Sequence, residues 1–507
     1  MSLSSIRLLS LLRCALPVIL TFTPAFTSAQ SLGIFQQQKD VGTVLHPGSV
    51  KYDATKGTYT VTGSGDNMWF AEDDFHYLWT KVSGDVALTA DIDFVGATGN
   101  NHRKAVLMIR ESLDTDSKSV DLARHGDGLT SLQFREATGG HTHEVEANAV
   151  GPKTVRLEKR GDYFYAFVSG ADGKLHVSGA STKLPLAGSF YIGIGVSAHD
   201  KNVTETAIFS NVKLTHLPAG AEKLTLYSAL ETTTVASTDR HVEYVAPSHF
   251  EAPNWSRDGS FFLFNSEGHI MRLPLKSDTP VTIFTDLQNH CNNDHGISPD
   301  GQSIAISDQG IDNKSKIYLL PIAGGTPRQL TNDGPSYWHG WSPDGKTIAF
   351  TGQRNNEFDI YTVPAAGGPE TRLTTAHGLD DGSEFSPDGQ YIYFNSERTG
   401  SMQIWRMRAD GSQQERVLTD DTNDWFPHLS PDGKWMVFLS YDKDVTGHPP
   451  LKDVVLNLMS MQDKSVHVLA KLFGGQGTIN VPSWSPDSRK LAFVSYELLP
   501  NDKELEK

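Results

Sequence analysis

The sequence predicts an all-β chain in which an N-terminal β-sandwich is followed by a six-bladed β-propeller. One short phrase recurs six times in the second half, with a period near 44 residues. The first half shows alternating strands, frequent turns and little helical periodicity. We therefore expect a signal peptide over 1–29, a β-sandwich over 30–217 and the propeller over 218–507.

The repeated phrase centres on a serine that is followed in most copies by Pro-Asp-Gly. The serines lie at 256, 298, 342, 386, 430 and 485, so the steps between them are 42, 44, 44, 44 and 55 residues. A repeat of this length fits one four-stranded blade. Pro presets φ, Asp bonds its own backbone and Gly accepts a positive φ, which predicts a tight turn in each copy.

The two ends of the repeat region predict how the ring closes. After Ser485 the chain has one more good strand, over 490–495, so the sixth blade lacks its outer strands. Two strand-like runs, 223–236 and 241–245, precede the first phrase. We expect them to complete the sixth blade, which leaves no open edge.

The Ser-Pro-Asp-Gly phrases resemble the repeats of TolB and of many exported TolB-like propeller proteins, over about 220–500. The resemblance implies a propeller fold and an exported protein, but TolB-like propellers include both binding proteins and enzymes. TolB itself has an α/β N-terminal domain, which differs from the all-β first half predicted here.

The segments GDVALTADIDF and FYIGIGVSAHD in the first half resemble concanavalin-like jelly-roll domains. Such a domain is expected to bind glycan through aromatic and polar residues of one face, or else to act as a spacer. The candidates for a glycan contact are Trp69, Arg110, His125 and Arg135.

The start of the chain has the pattern of a secretory signal. Arg7 and Arg13 precede the apolar run 14–26, and the small residues 27–29 follow it. This predicts a periplasmic or secreted protein, and no later segment has the roughly 20 apolar residues of a membrane helix. The net charge of −16 excludes a nucleic-acid partner, since phosphates require basic patches.

Histidines and carboxylates gather in the segments just before the repeated phrases. In a propeller these segments meet at the channel mouth opposite the Ser-Pro-Asp-Gly turns. The predicted ligand-binding residues there are His249, His290, Asp294, Trp338, His377, Asp381, Glu384, Asp424, Trp425 and, from the long insertion 442–453, His448.

Three further histidines, His295, His339 and His428, are candidate ligands of a divalent metal ion, because imidazoles converging on a cation form such sites. His295 and His339 precede their serines by equal offsets, whereas His428 is shifted by one residue. The alternative is that these rings bond backbone groups between blades.

Two functions remain open from the sequence. The first is a binding protein that holds a glycan or a protein partner at the histidine-rich mouth. The second is a metal-dependent carbohydrate-active enzyme, a lyase or a hydrolase, since oligogalacturonate lyases have similar propellers with a histidine-held metal. In a lyase, Arg354 or Arg398 would pair with a uronate carboxylate; no catalytic residue is assigned.

Overall fold

The computed structural model describes residues 31–218, 220 and 223–500. The predicted signal peptide, residues 1–29, lies outside these ranges. The described residues form strands, turns and bends without a helix. Accordingly, none of them forms a helix with the length and hydropathy needed to cross a bilayer.

The first half of the chain folds into two large sheets and one separate two-stranded sheet. Its strands are β1 (Gln37–Val41), β2 (Ser49–Asp53), β3 (Thr58–Gly63), β4 (Met68–Trp69), β5 (Glu72–Asp73), β6 (Phe75–Ser83), β7 (Val86–Phe94), β8 (Lys104–Arg110), β9 (Ser119–His125), β10 (Thr130–Arg135), β11 (Thr142–Glu146), β12 (Thr154–Arg160), β13 (Tyr163–Ser169), β14 (Leu175–Lys183), β15 (Ser189–Ser197) and β16 (Glu205–His216).

The two sheets share one apolar core. One sheet has the order β14-β13-β12-β7-β16-β3-β2, and the other begins β1-β6-β15-β8-β9-β10-β11. Buried side chains from both, such as Leu88 and Leu157 on one and Leu107 and Ile192 on the other, belong to the same cluster. The alternation of apolar and polar residues along these strands places one face of each sheet in that core.

The second half contributes the remaining strands. These are β17 (Leu224–Thr234), β18 (Arg240–Ala246), β19 (Phe250–Trp255), β20 (Phe261–Ser266), β21 (His269–Pro274), β22 (Val281–Thr282), β23 (Cys291–Ile297), β24 (Ser303–Asp308), β25 (Lys316–Pro321), β26 (Arg328–Gln329), β27 (Ser336–Trp341), β28 (Thr347–Arg354), β29 (Glu357–Pro364), β30 (Thr371–Arg372), β31 (Asp380–Phe385), β32 (Tyr391–Ser396), β33 (Gln403–Arg408), β34 (Glu415–Arg416), β35 (Asn423–Leu429), β36 (Trp435–Tyr441), β37 (Pro450–Ser460), β38 (Val466–Gly475) and β39 (Lys490–Pro500).

Five separate four-stranded sheets form the blades of a propeller. Blade 1 is β19–β22, blade 2 is β23–β26, blade 3 is β27–β30, blade 4 is β31–β34 and blade 5 is β35–β38. Five of the six predicted blades are therefore present as separate four-stranded sheets. The strands expected to form the sixth belong instead to the larger sheet that continues into the first half of the chain.

We call β17, β18 and β39 the closing strands. The last strand, β39, pairs with β17 from Lys490↔Thr234 to Pro500↔Leu224, and β17 pairs with β18. The pairing expected between the end of the chain and the runs before the first phrase is thus present. Apolar side chains of β39 pack on both sides: Val494 in one cluster with blade 1 and Phe493 in another with blade 5.

The repeated phrase forms the same turn in all six copies. The serine hydroxyl donates to the aspartate two residues later at 2.5–2.8 Å. The same hydroxyl accepts a backbone N–H five residues later at 2.9–3.0 Å. The turn residue before the next strand has positive φ and is glycine in five copies, whereas Ser488 takes this place in the sixth.

The closing strands also hold the two halves of the chain together. β18 pairs in parallel with β11 through Val145↔Arg240 and Glu146↔His241. Arg240 lies 3.3 Å from Glu231 and donates to the Ser181 carbonyl at 2.6 Å. Tyr163 donates to Asp453 at 2.5 Å, which adds a contact between the first half and blade 5.

A buried acidic pair lies within this junction. Glu497 and Glu231 are about 1% and 0% exposed. Burial raises the pKa of Glu497 to about 8, and the nearby charge of Glu231 adds to the shift. The folded chain therefore keeps a proton on Glu497 at pH values where the unfolded chain has lost it, so stability falls as pH rises towards 8.

Replacing Glu497 with Gln should flatten this pH dependence. Glu497→Gln removes the titrating group, so its stability should fall less between pH 5 and pH 8 than that of the wild type, by on the order of a few kcal/mol. Thermal denaturation at both pH values measures the difference. The exposed Glu72→Gln variant serves as the control, and equal pH dependence of wild type and Glu497→Gln would contradict the argument.

Candidate functional site

A cavity of about 410 Å³ opens at the end of the propeller axis opposite the repeated turns. We call it the mouth cavity. Its lining comes from the inner strands of blades 2 to 5, from β28 and β29 of blade 3 and from neighbouring loops. The lining residues are Asn292, Asn293, Asp294, Gln309, Tyr337, His339, Thr351, Phe358, Leu379, Asp381, Phe426, His448, Gln476 and Asn480.

β-Bulges in the inner strands direct several of these side chains. In blade 3, Trp338 pairs with Phe350 and Gly340 with Ala349, so His339 is the extra residue of a bulge. In blade 5, Phe426 lies in the bulge between Trp425 and His428, and its backbone has a φ of 55°. Bulges commonly re-aim a side chain at a binding site, because the extra residue interrupts the strict alternation of a strand.

An aspartate between two histidines forms the charged centre of the cavity. His339 Nε2 lies 3.0 Å from Asp381 Oδ1, and His448 Nε2 lies 3.8 Å from Asp381 Oδ2. The Thr351 hydroxyl and the Gly382 N–H also donate to Asp381 at 2.8 Å. These contacts fix the carboxylate between blades 3 and 4 and the long insertion of blade 5.

The pKa values of this centre move in opposite directions. Burial acts to lower the pKa of His339, but the adjacent Asp381 charge raises it above its ordinary value. Burial acts to raise the pKa of Asp381, but His339 and then His448 hold it well below its usual range. Burial lowers the pKa of His448. The arrangement therefore favours a charged His339–Asp381 pair beside a neutral His448.

A second carboxylate in the cavity, that of Asp294, has no hydrogen-bond or ion-pair contact among the described residues, although the His339 charge offsets part of the rise in its pKa. Asp294 is 6% exposed, and no described donor forms a hydrogen bond to its carboxylate. Burial raises its pKa to about 7. Burial likewise raises the pKa of the neighbouring Glu251 to about 7, with the charge of Asp294 as the next cause.

Aromatic rings surround the acidic groups and support the insertion. Tyr337 and Phe358 have ring centroids 6.4 Å apart on one wall. His448 contacts the rings of Trp425 and Phe426 edge-on at 4.4 and 5.2 Å. Trp425 is buried behind His448, so it supports the histidine and does not line the cavity.

The three predicted metal ligands do not meet. His295 pairs regularly with Ile306 and is fully buried away from the cavity, where burial lowers its pKa to about 4. His428 lies nearer the opposite end of the axis, with Nδ1 2.6 Å from Glu384 Oε2 and Nε2 2.5 Å from the Ile479 carbonyl. Across the described residues, no group of three or more His, Cys, Asp or Glu side chains is arranged to hold a metal ion.

His295 and His339 lie at equal distances in sequence from their phrase serines, and this predicted the wrong position for His295. The reason is that the irregular strand pairing falls at different places in blades 2 and 3. In blade 2 the extra residues lie between Cys291 and His295, so Asn292, Asn293 and Asp294 line the cavity. In blade 3 the bulge falls on His339 itself. His295 therefore corresponds in strand register to Trp338, and both are fully buried.

Several other predicted ligand-binding residues lie outside the mouth cavity. His249 stacks on Tyr496, and His377 is exposed beside Glu357 at 3.0 Å. His290 is exposed at the end of a loop, and the buried Asp424 accepts a hydrogen bond from the Ser440 hydroxyl at 2.6 Å. Trp338 and Glu384 face the other end of the axis.

The two arginines proposed to pair with a uronate are engaged within their blades. Arg354 binds Glu370 at 2.9 Å and also donates to backbone carbonyls of blade 3. Arg398 binds Asp380 at 2.7 Å. Neither side chain lines the mouth cavity.

The glycan candidates of the first half mostly hold a hairpin in place. Arg135 binds Asp73 through two contacts of 2.7 and 3.0 Å, and Arg110 lies 3.4 Å from the same carboxylate. Asp73 belongs to β5, so these buried arginines fasten the β4–β5 hairpin to the sheet. His125 is buried near Gln133, and Trp69 lies under the Lys104 ammonium at 5.2 Å.

A smaller cavity of about 230 Å³ lies at the end of the axis where the repeated turns meet. The residue before each phrase serine contributes to it. These residues are Trp255, Ile297, Trp341, Phe385, Leu429 and Trp484. We call it the turn-side cavity; Asn254, Arg257 and Glu384 also line it.

Some lining residues of the mouth cavity were not among the predicted ones. Gln309 follows β24, and Thr351 and Phe358 lie within β28 and β29, whereas the sequence prediction rested only on the segments before each phrase. Phe426 lies in such a segment, but an apolar side chain next to Trp425 gave no signal of exposure to a cavity. The positive φ that directs it is not visible in the sequence.

Comparisons with known proteins concern the second half of the chain. A family model of the TolB β-propeller domain matches residues 296–471. An uncharacterized protein of Agrobacterium fabrum is 50% identical over 270 residues, which make up 53% of this chain and 92% of that protein.

Two solved structures are among those similar to this chain. One described as a TolB from Agrobacterium tumefaciens is 51% identical with a TM-score of 0.53, and the match covers 54% of this chain and 99% of that chain. The TolB of Acinetobacter baumannii is 16% identical with a TM-score of 0.40, over 57% of this chain and 77% of that chain.

Removing the Asp381 charge should lower the pKa of His339. In Asp381→Asn the amide keeps a similar shape but no longer stabilises the imidazolium, so we expect a drop of about one unit or more. Titration of histidine-labelled protein by NMR measures this, with His339→Gln identifying the resonance. An unchanged pKa of His339 would show that the 3.0 Å contact does not control its charge.

Proposed function

Because this chain belongs to the TolB β-propeller family, we propose that it is an exported binding protein whose mouth cavity holds a segment of a protein partner. The signal-like start of the sequence supports export to the periplasm. The net charge of −16 argues against a nucleic-acid partner.

The mouth cavity is the observation that carries the proposal. It combines a volume of about 410 Å³ with buried polar groups whose hydrogen-bonding capacity is incompletely used. Its volume falls within the range of roughly 300–1,000 Å³ that is typical of ligand pockets. Nδ1 of His339 has no hydrogen-bond partner among the described residues, and the Asp294 carboxylate likewise accepts none from them.

We further propose that the closing strands act as a sixth blade. They pack between blades 5 and 1, and the short bridge Trp484↔Leu491 supplies the innermost strand position. The first half of the chain then serves as a concanavalin-like sandwich fixed to this blade. It would add a second contact to a bound partner, and linked contacts increase avidity.

The alternative of an oligouronide lyase or other glycan-active enzyme has less support from the geometry. A uronate carboxylate requires a cationic partner, and no Lys or Arg is among the lining residues of the mouth cavity. Arg354 and Arg398 already bind Glu370 and Asp380. This favours the binding function over a lyase.

Site-specific photocrosslinking tests the proposal. A benzoyl-phenylalanine replacing Phe358 would lie in the mouth cavity, and one replacing Trp341 would lie in the turn-side cavity as a matched half-buried aromatic control. In cells that produce and export the chain, we expect covalent protein adducts from position 358 and far fewer from position 341.

Mass spectrometry of the adducts identifies the partner and the segment that enters the cavity. Adducts from position 341 alone, or none from either position, would contradict a protein-binding mouth. Cleavage of uronate oligosaccharides by the purified chain would instead favour the lyase.

A further inference from the structure

We propose that the mouth cavity binds a basic side chain, an arginine guanidinium or a lysine ammonium, presented by the partner. This inference rests on the proposed function and names the chemical group that the cavity recognises. It follows from three features of the described residues: the charges of the lining, the unpaired Asp294 and the surrounding aromatic rings.

The lining is acidic and contains no strong base. Asp294 and Asp381 supply carboxylates, Glu251 lies next to Asp294, and no Lys or Arg lines the cavity. His339 neutralises Asp381 through its 3.0 Å contact. Asp294 has no Lys or Arg partner in the lining, and a cationic group that entered the cavity would hold its carboxylate ionised, which favours a cation over an anionic or neutral group.

Asp294 is the carboxylate with which we expect the cationic group to pair. It is 6% exposed, lines the cavity and accepts no hydrogen bond from a described donor. A buried carboxylate without a partner is costly, and the cost falls when a cation pairs with it. The carboxamides of Asn292 and Asn293 lie on the same strand segment and offer oxygen acceptors for further N–H groups.

Aromatic rings complete a setting suited to an organic cation. Tyr337 and Phe358 form one wall, and Phe426 with its positive φ faces the cavity from blade 5. A guanidinium or ammonium group gains cation–π attraction over such rings, more so in a desolvated site. The net charge of −16 also accelerates the approach of a basic partner.

A pair of matched probes tests the inference on the full-length exported chain. N-acetyl-arginine methylamide carries the charge, and N-acetyl-citrulline methylamide has nearly the same shape without it. Isothermal titration should show the arginine probe binding at least about tenfold more tightly, as expected for a charge-assisted contact to a buried carboxylate.

Variants locate this preference in the cavity. Asp294→Asn should reduce the arginine preference to less than about twofold. Asp424→Asn is the matched control, because Asp424 is also a buried aspartate but does not line the cavity. It should keep the wild-type preference. The comparison of the arginine and citrulline probes uses the unaltered chain, so it still tests the inference if one of the variants folds poorly.

The outcomes separate this inference from the proposed function. Equal binding of both probes, or binding of neither, while position 358 still crosslinks a protein, would overturn the basic-group inference alone. Preferential binding of an anionic sugar such as a galacturonate oligomer would also overturn it. Absence of crosslinks together with absence of probe binding would remove both.

Discussion

The antiparallel pairing of β39 with β17 is the constraint on which the arrangement of the propeller depends. It joins the end of the described chain to a strand more than 250 residues earlier and places both between blades 5 and 1. A two-sided apolar core then fixes the closing strands, because burying apolar surface on both faces removes it from water. The mouth cavity requires this pairing, since its lining comes from blades that meet around one axis.

Local features of the blades, namely turns, β-bulges and one insertion, determine which side chains line the two ends of the propeller axis. The repeated phrases form regular turns and leave an apolar ring at the turn-side cavity. At the opposite end, bulges bring His339 and Phe426 towards the axis, and the insertion of blade 5 adds His448. The two ends therefore differ in their linings: the turn-side cavity combines the ring of phrase residues with Arg257 and Glu384, and the mouth cavity holds Asp294, His339, Asp381 and His448.

The sequence predicted the repeat, the turn chemistry and the strands that close the ring, because each depends on a local pattern. It also predicted that Asp294, His339, Asp381 and His448 converge. The proposed equivalence of His295 and His339 was wrong, since pairing register, and not distance from the serine, determines where a side chain points. Likewise, no local pattern in the sequence indicates that Arg354 and Arg398 bind carboxylates of their own blades.

Engineered cysteines test the central pairing most directly. Thr232 is directly opposite Ala492 in the register, whereas Phe493 lies on the other face of β39. We predict that Thr232→Cys combined with Ala492→Cys forms an intrachain disulfide in the exported, oxidised protein, seen by mass spectrometry as protection from alkylation. Disulfide formation by Thr232→Cys with Phe493→Cys instead, or by neither pair, would contradict closure of the ring in this register.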